Sequence, residues 1–132
     1  MFTLAFERRY RILLARFSGV FSSQDIFELD LAAIRFTATV GSAHGVLDFS
    51  DVESVAVPTS RWIQRSRQPA LSPGFKRFIV VGNAEGSELF QMARTFTTGQ
   101  GLAGSPEPEI VSTLDEALQR LGVMNPEFEL IA

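Results

Sequence analysis

The chain has 132 residues, 45% hydrophobic and 20% charged, a balance that excludes a disordered or collagen-like polypeptide and suits one domain with its own core. Twelve basic and 15 acidic side chains leave a net charge of -3, which argues against nucleic acid or an anionic membrane as partner. Cysteine is absent, which excludes disulfides, thiolate nucleophiles and cysteine-bound zinc, and His44 is the only histidine.

The first residues, Met1-Phe2-Thr3-Leu4-Ala5-Phe6, lack a basic start and meet Glu7-Arg8-Arg9 too early for a secretory signal. No stretch approaches the roughly 18–20 apolar residues that span a bilayer. The expectation is a soluble, cytoplasmic protein without membrane insertion. Phenylalanine supplies 12 residues against one Trp and one Tyr, as befits core filler.

Phe2–Phe6 and Tyr10–Phe17 read as a β-hairpin, with Tyr10, Ile12 and Leu14 on one face and Arg11 and Leu13 on the other. Ser22-Ser23 offers a helix cap and Asp25 a favourable first-turn charge; Ile26, Leu29, Ala33, Phe36 and Val40 follow at helical spacing. This helix spans about 23–39 and stops near Gly41. Gly45–Ser50 is a compact apolar strand. Pro58-Thr59-Ser60 opens a shorter helix that reaches about Arg67. Pro69 and Pro73-Gly74 make a loop, Phe78–Val81 a strand, and Gly82-Asn83 a turn.

Ser87 caps a third helix with a stripe of Leu89, Met92, Ala93 and Phe96, and the polar stretch Thr97–Pro108 reads as loop. Ile110-Val111 is a short last strand. Thr113 and Glu116 are spaced as a capping box for a helix carrying Leu114, Ala117, Leu118 and Leu121, with Gly122 as its stop. The order β-β-α-β-α-β-α-β-α implies an α/β fold: a small, mixed, mostly parallel sheet of four to five strands with one antiparallel hairpin strand. One domain covers 1–122, and the tail 123–132 has no assigned place.

Several groups invite a chemical reading. Gly99-Gln100-Gly101-Leu102-Ala103-Gly104 spells a dinucleotide fingerprint, but it follows a helix and has no acidic residue about 20 positions on, so a loop is expected. Asp48, Asp51 and Glu53 surround a strand end and could hold a hard cation, although a solvated turn explains them more simply. His44 has no second histidine for a metal; Ser42 and Ser50 are the nucleophiles it could pair with, but nothing in the spacing recommends either, and a surface or capping role is expected. Arg61, Arg65, Arg67, Lys76 and Arg77 lie in a block from Ser54 to Val80 that contains no acidic residue. Arg61 and Arg65, four apart, share a helix face beside Trp62.

The run Val46-Leu47-Asp48-Phe49-Ser50-Asp51-Val52 resembles the "LDLSGV" strand of the STAS superfamily. Lys76–Gly82, Ala93-Arg94-Thr95-Phe96 and Ile110–Leu118 are similar to later segments of its SpoIIAA-like bacterial branch, related to anti-sigma-factor antagonists. The resemblance spans Phe2 to Gly122 and implies helices packed largely on one face of the sheet. It also implies a non-enzymatic, regulatory protein-interaction module. Switch-type antagonists carry Asp-Ser-Ser-Gly at the start of the second helix; this chain has Ala56-Val57-Pro58-Thr59 there, so the phosphoserine switch is not expected.

Asp51, Thr59, Ser60, Arg61, Trp62 and Arg65 form the expected partner surface, because the STAS resemblance implies partner contacts around the start of this helix. The expected partner is a protein, a homodimer is compatible with the sequence, and no catalytic residue, cofactor or metal is expected. The alternative is a module that binds a small apolar or anionic ligand, such as a lipid, between sheet and helices.

Overall fold

A computed structural model describes residues 1–68, 75–82, 87–103 and 108–131, without the side chains of 75 and 76. Strands β1 (Phe2–Glu7) and β2 (Ile12–Phe21) precede helix α1 (Ser23–Val40), then come β3 (Ala43–Val55), α2 (Thr59–Ser66), β4 (Phe75–Val81) and α3 (Glu88–Leu102). Strand β5 (Glu109–Val111), helix α4 (Leu114–Arg120) and strand β6 (Phe128–Leu130) complete the chain. The strands form one sheet in the order β5-β4-β3-β2-β1-β6. Among the described residues no helix is long and apolar enough to cross a membrane.

The α/β order agrees with expectation, but the strand count and pairing do not. The described residues form six strands rather than four to five, and β1 is antiparallel to both β2 and β6, while β2, β3, β4 and β5 run parallel. The added strand comes from the tail. Helix α3 also continues through residues expected to be loop, and β3 extends well past both ends of the strand expected at Gly45–Ser50.

Alternation along β2 explains two cores. Leu13, Ala15 and Phe17 point to one face and join Phe21, Phe49, Trp62 and Val80; Ile12 and Leu14 point to the other and join Val46, Ile79, Val111 and Ala117. The first core is roofed by Ile26, Leu29 and Phe36 of α1, Trp62 of α2 and Leu89, Met92 and Phe96 of α3. The second lies under Leu114 and Leu118 of α4. Both sheet faces are therefore covered, which is why β2 and β3 read as nearly continuous apolar runs. Phe17 and Phe49 stack with ring centroids 4.8 Å apart, at the centre of the first core.

Helix ends are closed by local chemistry. Ser22 caps α1 and forms a reciprocal box with Asp25, whose carboxylate accepts from the Ser22 amide. Burial pushes the Asp25 carboxyl up, but the Met1 ammonium at 2.9 Å, with the Ser22 amide and hydroxyl, more than offsets this and holds it below its ordinary value. At the other end Arg11, in the left-handed region at φ 57, donates to the carbonyls of Val40 and Ser42 at 2.6 and 2.9 Å. A guanidinium from the hairpin thus supplies the positive charge that α1 lacks in its own last turn.

The buried carboxylate of Glu7 ties three segments together. It accepts from the amides of Arg9 and Tyr10, which shapes the hairpin turn, and from the amide of Glu127, which brings the tail alongside β1. The Glu127 amide is the chief cause that holds this carboxyl below its ordinary value, against desolvation.

Candidate functional site

Strands β2 and β3 run beyond their neighbours. The last pair of β1 with β2 is Phe2 with Phe17, and the last pair of β4 with β3 is Val81 with Asp48. From Ser18–Asp51 to Phe21–Val55 the two strands form a projecting ribbon. Register shifts lie between Arg16 and Ser18 and between Gly19 and Val20, so β3 carries one extra residue at each. Each bulge resets which residues face inward: Phe49, then Val52, then Val55 enter the core. Asp51, Glu53 and Ser54 are thereby turned to solvent.

Asp48 sits at the root of the ribbon and is 2% exposed. One oxygen accepts from the Ser50 amide at 2.9 Å and the Ser50 hydroxyl at 2.5 Å; the other lies 3.3 Å from Arg16 Nε. The same guanidinium reaches Asp51 at 3.6 Å. Protein donors thus engage both oxygens of Asp48, and Arg16 sits where a cation between Asp48 and Asp51 would sit. Among the described residues no group of three His, Asp or Glu side chains could hold a metal ion.

Helix α2 starts beside this ribbon. Pro58 is its N-cap and gives no side-chain hydrogen bond, while Val57 before it packs on the first core. Thr59, Ser60 and Arg61 on the first turn are exposed, and Arg61 has no side-chain partner among the described residues. The other two members of the expected partner surface face inward. Trp62 is 7% exposed; its indole N–H donates to the Met92 carbonyl at 3.0 Å and its ring packs between Phe21 and Phe96. Arg65 grips Asp30 of α1 with both arms, Nε to Oδ2 at 3.0 Å and Nη2 to Oδ1 at 2.9 Å. Trp62 and Arg65 therefore hold α2 onto α3 and α1, and the accessible surface reduces to Asp51, Thr59, Ser60 and Arg61.

The glycine-rich run has a structural role that its sequence resemblance to a phosphate loop concealed. Gly99 to Leu102 are helical, Ala103 is the C-cap of α3, and Gly104 lies outside the described residues. Gly99 faces Ser66 at the point where α2 crosses α3. Beside it the buried Gln100 donates to the carbonyls of Ser66 and Gln68 at 2.8 and 2.6 Å, closing the C-terminal end of α2. Gly99 to Leu102 thus form a helix crossing where a loop was expected.

Between the sheet and α2 and α3 lies an apolar gap lined by Leu47, Phe49, Trp62, Val80, Met92 and Phe96, among others. Its volume is about 10 Å³, room for one water molecule at most. Asp30, Glu7 and Gln100 matter to the architecture yet carry no sequence signal of their own, since each acts on a segment at least 32 residues away. The chain matches no family model, and no curated protein matches it.

Proposed function

We propose that the chain is a non-enzymatic regulatory interaction module of the STAS type that works without a phosphoserine switch. The observation that carries this is the size of the apolar gap between sheet and helices. A site for a lipid or a comparable ligand needs about 300 Å³ or more, whereas this gap holds about 10 Å³. Among the described residues this gap leaves such a ligand no room, which favours recognition at the outer surface, where Asp51, Thr59, Ser60 and Arg61 present charge and hydroxyls at the ribbon and the first turn of α2. The switch position is occupied by half-buried Val57 and by Pro58, which offer no hydroxyl to a kinase.

Affinity capture from native cells, with the native chain and Arg61→Glu compared side by side, tests the proposal. A protein retained by the native chain and lost from the variant, at equal melting temperature, supports it. Native mass spectrometry of the purified protein reads the alternative: a stoichiometric small molecule would replace the interaction module with a ligand carrier.

A further inference from the structure

Helix α1 has two apolar sides. Ile26, Leu29, Ala32 and Phe36 face the sheet. Phe27, Leu31 and Ile34 are 59%, 37% and 39% exposed, and Ala38 is exposed with them. At about 100° per residue these four fall within an arc of about 60° on the outer side of the helix, roughly opposite the core stripe. Their spacing of four, three and four is that of an a/d seam over two heptads. An outward seam of this kind, rather than scattered single residues, marks a docking face.

The charges beside the seam indicate what covers it. Glu28 and Arg35 lie on the same flank, one heptad apart, about 10 Å along the axis and outside the range of an i, i+4 pair. Among the described residues the Glu28 carboxylate accepts one side-chain hydrogen bond, from Gln24 at 3.1 Å, and the Arg35 side chain has no partner. On the opposite flank Asp30 is already held through both oxygens by Arg65. In an antiparallel pair related by a two-fold axis, like flanks adjoin, so Glu28 of each helix meets Arg35 of the other. A parallel pair would set Arg35 against the occupied Asp30 and leave Glu28 opposite Ser23.

We propose that a second copy of this chain docks here, α1 against α1, antiparallel, with Phe27, Leu31, Ile34 and Ala38 in the seam and two Glu28–Arg35 pairs at its side. The interface is isologous and closes on itself, so it yields a dimer and not a fibre. A seam of four side chains per chain is smaller than the standard interface of about 800 Å² per partner, so the association is weak and concentration-dependent. This proposal rests on α1 and not on the surface at α2.

Sedimentation velocity of the full chain from about 10 μM to about 1 mM tests the pairing. The native chain moves from monomer to dimer over this range, and Leu31→Glu remains monomeric while circular dichroism shows it folded. Glu28→Arg and Arg35→Glu, each alone, weaken self-association by about tenfold or more, because both pairs become repulsive. An equimolar mixture of the two variants recovers a heterodimer, and the double variant Glu28→Arg/Arg35→Glu recovers the homodimer. A native chain that stays monomeric throughout, or charge variants that associate as the native chain does, would overturn the proposal. Failure of the double variant to recover while single variants are weakened would overturn the antiparallel arrangement.

Discussion

Gly99 of α3 lies so close to Ser66 of α2 that a methyl group at position 99 would stand 2.3 Å from the serine Oγ and 2.7 Å from its carbonyl oxygen. In an isolated helix Gly→Ala is worth up to about 1 kcal/mol of stability. Here the obstacle is partly backbone, which cannot swing aside. Gly99→Ala is expected to destabilise by about 1–3 kcal/mol in denaturant unfolding, through overpacking at the crossing. A gain in stability would show that the two helices separate easily.

Arg65 joins α2 to α1 through Asp30, with the two side chains only 15% and 23% exposed. Partial burial and two-point geometry set it apart from a surface ion pair. Arg65→Ala should cost about 1–3 kcal/mol, because it leaves the Asp30 carboxylate half-desolvated without a partner. Arg61→Ala on the same helix should stay within about 0.5 kcal/mol, as expected of an exposed charge. Equal melting temperatures for the two variants would remove the structural role of Arg65.

Glu7 makes the attachment of the tail depend on pH. Its carboxyl is held below its ordinary value in the folded chain, so the charged form is favoured by folding. That contribution is complete above the ordinary glutamate range, about 4.3, and is lost as pH falls through the lower folded value. Amide NMR shifts of Glu127 to Leu130 should therefore hold steady down to that range and move together below it. Glu7→Gln should free the same amides already at neutral pH. A tail that titrates at or above the ordinary range would assign its anchor elsewhere.

Thr113 caps α4 by accepting from the Glu116 amide at 3.1 Å, while the Glu116 carboxylate accepts from the Ser112 amide at 3.2 Å rather than from Thr113 itself. Thr113→Ala should cost about 0.5–2 kcal/mol. Thr113→Ser should restore most of it. The denaturation midpoint is the readout, and an unchanged midpoint in the alanine variant would show that tertiary packing alone holds α4.

What could be read from the sequence was what is decided locally. Caps at Ser22, Ser87 and Thr113 act within four residues, and the alternation of Leu13, Ala15 and Phe17 against Ile12 and Leu14 needs only the pleat. Decisions made across the fold were hidden. Gly99 and Gly101 look like helix breakers, but close approach of Ser66 is what requires a glycine at 99. Helical spacing places Trp62 and Arg65 on α2, yet which side of that short helix meets the sheet depends on Met92 and on Asp30, 35 residues upstream of Arg65. Helix α1 is apolar on two sides, and the core-facing stripe alone was evident. Strand β6 has three residues, and nothing in Phe-Glu-Leu announces a partner at the other end of the chain.

That last pairing has a consequence for how the chain reaches its final state. Leu130, Glu129 and Phe128 lie against Ala5, Phe6 and Glu7, and the Ile131 amide donates to the Leu4 carbonyl at 2.8 Å. Strand β1 is thus covered by a strand that lies far downstream in the chain. Until β6 docks, β1 presents a row of unsatisfied backbone donors and acceptors, the kind of border on which other polypeptides polymerise. Closure replaces it with an outer strand of three residues bearing the Glu129–Arg8 ion pair, too short and too charged to template another. Strand β6 is thus a guard against misassembly that acts only once it has closed on β1.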